Sequence, residues 1–166
     1  MEFFNATQKA RSLDVTSLEN ALVDLLVRAE DSDLQELGMT KGIMQLVAAE
    51  PDVHDPIAAA FDADGNLYVC EMRDYPYRPT DGADPIGSVR LLRDLDQDGH
   101  FETSTVFADK LLWAAGVAPY QGGVFIAAPP DIWYCRDTNG DGVADERRRV
   151  FTGFGTGNQQ GMLNNL

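Results

Sequence analysis

Near the start of the chain, apolar residues recur at helical spacing. Leu18, Leu22, Leu25 and Leu26 fall on one stripe, and Thr16 and Glu19 are spaced as a capping box, which predicts a helix over 17–30. Such a stripe is packing surface and suggests no chemistry, so residues 1–42 read as an N-terminal helical appendage. Beyond Gly42 the texture changes to short runs of Val, Ile, Leu, Tyr and Phe punctuated by Asp-Gly, Gly-Gly and Pro, the pattern of strands joined by tight turns. The predicted strands are Ile43–Ala48, Ile57–Phe61, Leu67–Cys70, Ser88–Arg93, Thr103–Phe107, Gly116–Ala118, Val124–Ala127, Ile132–Arg136 and Arg147–Phe151. Residues 43–166 are therefore expected to be all-β.

The stretch from Val89 to Glu102 is echoed 43 residues later by Ile132 to Asp145. The echo extends outwards: Val106-Phe107 is matched by Val150-Phe151 with one extra residue, and Asp64-Gly-Asn-Leu-Tyr-Val by Gly122-Gly-Val-Phe-Ile with one fewer. Each unit then holds four short strands, and a four-stranded unit at this period is the signature of a propeller blade. The first blade is expected at 52–109 and the second at 115–153, with the Pro- and Gly-rich segment after Glu71 forming a surface loop. Because a propeller closes with about four to eight blades, two blades and a helix imply an incomplete, truncated ring. Unpaired faces between blades would then promote association.

Composition narrows the partners. A formal charge of −14 repels nucleic acid and anionic membranes. No apolar run reaches the roughly 20 residues of a bilayer span, so no membrane span is expected, and Met1 to Lys9 do not read as a secretory signal peptide. Cys70 and Cys135 lack zinc or disulfide spacing and read as buried thiols.

The candidate chemistry lies in two acidic loops. Asp94-x-Asp96-x-Asp98-Gly99 with Glu102 recurs as Asp137-x-Asn139-x-Asp141-Gly142 with Asp145. Oxygen ligands at positions 1, 3 and 5, a glycine at 6, a backbone carbonyl at 7 (His100, Val143) and an acid at 9 suit a hard cation such as calcium. Thr105 and Arg148 stand where an EF-hand places its bidentate Glu, so no EF-hand is expected and affinity should be modest. The same residue types also make tight strand turns that bind nothing. In either case the role is structural.

Gly153-Phe-Gly155-Thr-Gly157 lacks both the Lys-Ser/Thr of a phosphate loop and the glycine spacing of a dinucleotide site. His54 and His100 are too few and too poorly placed for a nucleophilic triad, and Trp113 and Trp133 are expected to pack between blades. After Leu67–Cys70, the residues Glu71, Arg73, Asp74 and Tyr75 place charge and an aromatic ring at a strand end, either facing a ligand or simply solvated.

Val47-Ala-Ala-Glu-Pro51, Asp55-Pro-Ile57, Phe61-Asp-x-Asp-Gly65-x-Leu-Tyr-Val69, Glu71-Met-Arg-Asp-Tyr-Pro76, Val106-Phe-Ala-Asp109 and Gly153-Phe-Gly-Thr-Gly-Asn-Gln159 resemble, in order, the N-terminal propeller of planctomycete-type membrane-bound dehydrogenases. That family is similar to the quinoprotein glucose and sorbosone dehydrogenases. The resemblance implies a six-bladed, exported, periplasmic or extracytoplasmic oxidoreductase that holds pyrroloquinoline quinone, oxidises a sugar or alcohol, and passes electrons to a cytochrome c. It carries Glu71, Arg73, Asn158 and Asn158's neighbour Gln159 over as cofactor-face residues. Many relatives have a histidine after the paired Gln, resembling a general base, whereas this chain has Gly161, which accepts no proton. The resemblance therefore leaves two readings: a dehydrogenase whose base lies elsewhere, or a non-catalytic propeller binding polysaccharide or a protein partner.

Overall fold

The computed structural model describes residues 14–18, 22–26, 48, 50–80, 82–96, 98–157 and 163, the first two segments as backbone only. Two short strands open the fold, β1 (Asp14–Leu18) and β2 (Leu22–Leu26), paired antiparallel from Asp14↔Leu26 to Leu18↔Leu22. This hairpin replaces the helix predicted over 17–30 wherever that segment is described. Two five-residue strands three residues apart in the chain give apolar spacings of three and four, and over so short a window these imitate a helical stripe. The rest of the expected appendage, and the strand Ile43–Ala48 apart from Ala48, lie outside the described residues.

Eight further strands form two sheets. β3 (Pro56–Phe61), β4 (Leu67–Glu71), β5 (Gly87–Arg93) and β6 (Thr103–Leu111) make one four-stranded antiparallel meander. β7 (Gly116–Tyr120), β8 (Gly123–Ala128), β9 (Asp131–Arg136) and β10 (Glu146–Thr152) make the other, in the same sequential order. Each contains a predicted strand and extends beyond most of those predictions, because ladder bonds continue past the apolar positions that sequence periodicity detects. The described residues contain no helix, and so none long and apolar enough to cross a membrane.

The two sheets repeat in register as well as in order. Between β5 and β6 the pairs Arg90↔Val106 and Val89↔Ala108 leave Phe107 as a bulge; between β9 and β10 the pairs Trp133↔Arg149 and Ile132↔Phe151 leave Val150. Phe107 therefore corresponds to Val150, an offset of 43 that runs unbroken through the loop, and the extra residue expected from the Val-Phe echo is absent. On the shared interface Tyr68, Cys70, Val89, Leu91 and Phe107 of the first sheet pack with Val117, Val124, Ile126 and Cys135 of the second. A second cluster, Val53, Ala59, Leu67, Val69 and Leu92, fills the first sheet's other face. Both cysteines are free and buried, and Cys70 is pushed up to about 12 by burial, so neither is a reactive thiol.

Candidate functional site

The first acidic loop follows β5. Its short side chains turn the backbone on themselves: Gly99 N–H donates to Asp94 Oδ2 (2.9 Å), Asp98 N–H to Asp94 Oδ1 and Asp96 Oδ1 (3.2 Å each), His100 N–H to Asp98 Oδ1 (2.8 Å), and Leu95 N–H to Glu102 Oε2 (2.6 Å). Gly99 sits at φ +91°, a conformation that side-chain-bearing residues rarely adopt. The fold brings one carboxylate oxygen from each of Asp94, Asp96, Asp98 and Glu102 within 4.8 Å of one another. That span is about twice a calcium–oxygen bond, so the donor set fits a hard divalent cation.

The second loop, after β9, repeats four of the first loop's hydrogen bonds but has different chemistry. Asp137 accepts from Gly140 (2.6 Å) and Gly142 (2.7 Å), Asn139 from Asp141 (2.9 Å), Asp141 from Val143 (2.8 Å), and Asp145 from the Thr138 amide and hydroxyl (3.0 and 2.8 Å). Arg93 Nη2 of the first sheet stands 3.6 Å from Asp137 Oδ2. Burial raises the Asp137 carboxyl, but the amides of Gly142, Gly140 and Asn139 together with Arg93 outweigh it and leave it below the usual range. Among the described residues, Asp137, Asp141 and Asp145 do not converge as the first loop's acids do. A guanidinium occupies the charge-neutralising role at Asp137, and the loop clasps the neighbouring sheet: Ala144 N–H donates to Phe107 O (2.8 Å).

At the end of β4, Glu71 and Arg73 are separated by burial. Glu71 is fully buried, and its carboxylate accepts from Ser88 Oγ (2.6 Å), the His54 amide (2.8 Å) and Arg90 Nε (2.9 Å). Arg73 is exposed and lines a shallow hollow of about 300 Å³ with Asp55, Pro56, Ile57, Met72 and Tyr75. Asn158, Gln159 and Gly161 lie outside the described residues. Asp74 is buried rather than solvated, and no side-chain hydrogen bond of regular geometry reaches either of its oxygens. Burial raises its carboxyl above the usual range, opposed by the nearby amides of Asp74 itself, Trp113, Gly87 and Ile86. Trp113 is fully buried behind this loop, its Nε1 donating to Tyr77 O (3.3 Å) with Arg78 against its ring.

Sequence reasoning did not single out Ser88 and Arg90 as partners of Glu71. They lie 17 and 19 residues away, and only strand pairing brings them together. The available signal was an Arg at a mid-strand position, Arg90, where the sheet faces alternate between buried neighbours.

A family model described as "Domain of unknown function (DUF7133)" matches residues 29–166. No curated protein and no solved structure matches the chain.

Proposed function

The chain belongs to the DUF7133 family, and we propose that it forms blades of a calcium-stabilised β-propeller of the quinoprotein sugar or alcohol dehydrogenase type. The observation that carries the propeller part is the repetition of one four-stranded meander, bulge included, in two sheets stacked face to face. The calcium part is supported by Asp94, Asp96, Asp98 and Glu102, whose oxygens converge; of the second loop's Asp137, Asn139, Asp141 and Asp145, Asp137 also meets Arg93 of the first sheet, and Ala144 of the same loop bonds to Phe107 O. Calcium would tie the turn after β5 to itself and fix the rim without taking part in turnover. Modest calcium affinity suits an exported, extracytoplasmic location.

The dehydrogenase part rests on the motif resemblance. Pyrroloquinoline quinone, when bound, would take the two electrons of a sugar or alcohol hydroxyl and release them to a cytochrome c. Arg73 is an exposed cation just past the end of β4, and Glu71 acts one layer below, holding the end of β4 through Ser88 and Arg90. A non-catalytic propeller that binds polysaccharide or a protein partner is the second reading. The complete engagement of Glu71 by protein donors favours it, as does glycine at position 161.

Two measurements test these parts separately. Calcium titration by calorimetry is expected to find one site, weakened about tenfold or more by Asp98→Asn and left nearly unchanged by Asp141→Asn; equal loss in both variants, or no heat at all, overturns the metal assignment. Full-length protein supplied with pyrroloquinoline quinone and an aldose is expected to reduce a dye. No turnover at saturating quinone overturns the dehydrogenase reading and leaves the binding module.

A further inference from the structure

The second acidic loop contains the chain's one Asn-Gly step, Asn139-Gly140. A glycine after an asparagine leaves its peptide nitrogen uncrowded by a Cβ, so that nitrogen can reach the asparagine's own side-chain carbonyl. Both residues are exposed, and Gly140 sits at φ +84°. The fold equips this pair from both sides. The Gly140 N–H donates to Asp137 Oδ1 (2.6 Å), which places a carboxylate oxygen on the proton that a nucleophilic nitrogen must lose. The Asp141 N–H donates to Asn139 Oδ1 (2.9 Å), which folds the side chain back over the Gly140 peptide and polarises its carbonyl. Asp137 is itself held in place. Its Oδ1 also accepts from the Asn139 amide (3.2 Å), and its Oδ2 accepts from the Gly142 amide (2.7 Å) with Arg93 Nη2 at 3.6 Å.

We propose that Asn139 is a self-deamidation site, at which the Gly140 nitrogen displaces ammonia from the asparagine side chain while Asp137 takes the proton. The Gly140 N–H proton passes to Asp137 Oδ1 as the nitrogen bonds to Asn139 Cγ. Charge developing on Asn139 Oδ1 is met by the Asp141 amide. The Cγ–Nδ2 bond then breaks, and Nδ2 leaves as ammonia with the proton returned from Asp137. A cyclic imide remains, and water opens it at either carbonyl to give aspartate or isoaspartate at position 139. The net change consumes one water and releases one ammonia, with no oxidant or reductant involved.

The first loop shows what the aspartate product resembles. Its aligned position already holds Asp96, followed by Gln97 rather than glycine. Deamidation therefore gives the second loop the first loop's Asp-x-Asp-x-Asp run, in one direction only and at a pace set by the loop's own hydrogen bonds.

The test is peptide mapping by mass spectrometry of the whole chain kept near neutral pH for several weeks, one sample folded and one in urea. Conversion of amide to acid is expected at Asn139 ahead of every other asparagine, and about tenfold faster in the folded chain than in urea. Asp137→Asn is expected to slow the folded reaction about tenfold or more and to leave the rate in urea unchanged. Asn139→Gln, whose longer side chain would have to close a larger ring, should show no conversion at that position. An intact Asn139 in the folded chain, a folded rate no higher than that in urea, or a folded rate indifferent to Asp137→Asn would each overturn the proposal. The ratio of folded to urea rates decides it on its own should Asp137→Asn fail to fold.

Discussion

The two sheets share strand order and the bulge at Phe107 and Val150, yet only the first has further register shifts, at Pro56–Ala58 and Gly87–Val89, and the two centres differ. In the first, Glu71 is buried with Ser88 and Arg90 around it. In the second, the aligned positions hold Ala128, Asp131 and Trp133, and Asp131 reaches across to Arg149 (3.2 Å) on the outer strand. The meander thus tolerates two different ion pairs, each on a buried carboxylate, because its register is fixed by hairpins, bulge and alternating faces rather than by either pair.

Exchanging the centres gives the largest expected effects. Glu71→Ala leaves Arg90, Ser88 and the His54 amide without their shared acceptor and should cost about 3–5 kcal/mol in urea unfolding, and Ala128→Glu, beside Asp131, at least as much. Either variant unfolding at the wild-type midpoint would mean that the two centres are interchangeable.

Glycines distinguish the sheets at a smaller scale. A Cβ on Gly87 would clash with the Leu111 carbonyl, whereas one on Gly123 would meet the Tyr134 ring at 2.5 Å and the Cys135 carbonyl at 2.8 Å. Gly87→Ala should therefore cost about 3 kcal/mol and Gly123→Ala about 1–2, since a side chain yields more readily than a backbone oxygen. Thermal melts giving the reverse order would break that contrast.

The smallest effect is a slope with pH. Asp74, behind the first sheet, has a folded-state value above its unfolded one, so its neutral form favours folding and that stability falls as pH rises from about 3.8 through the raised value. Asp137, on the loop of the second, is shifted the other way, and its contribution is lost as pH falls below the same starting point. Asp74→Asn should flatten the decline on the high side and leave the acid limb untouched in unfolding curves taken between pH 3 and 7. An unchanged high-side slope would place Asp74 in contact with water.

Much of this architecture could be read from the chain. The strands beyond Ile57 were legible because Asp-Gly and Gly-Gly turns bracket runs whose apolar positions alternate, and the repeat was legible because the loop residues recur in phase. The hairpin at Asp14–Leu26 was not, since two five-residue strands do not separate a period of two from one of 3.6. At the candidate site, the convergence of Asp94, Asp96, Asp98 and Glu102 was written in their spacing. The contact of Asp137 in the second loop with Arg93 was not, because Arg93 comes from the neighbouring sheet. Nor was the burial of Asp74, which follows from how the loop after β4 folds back on Trp113.

The clasp between sheets also bears on the order of folding. Within each meander every strand pairs with the next in the chain, so its contacts are local and form early. The bond from the Ala144 amide to the Phe107 carbonyl joins the second acidic loop to β6 of the other sheet and needs both sheets already shaped. Closure of the acidic loop over β6 is then a late event: changes there should speed unfolding while leaving the folding rate nearly untouched, making that loop the latch that governs how long the folded pair survives.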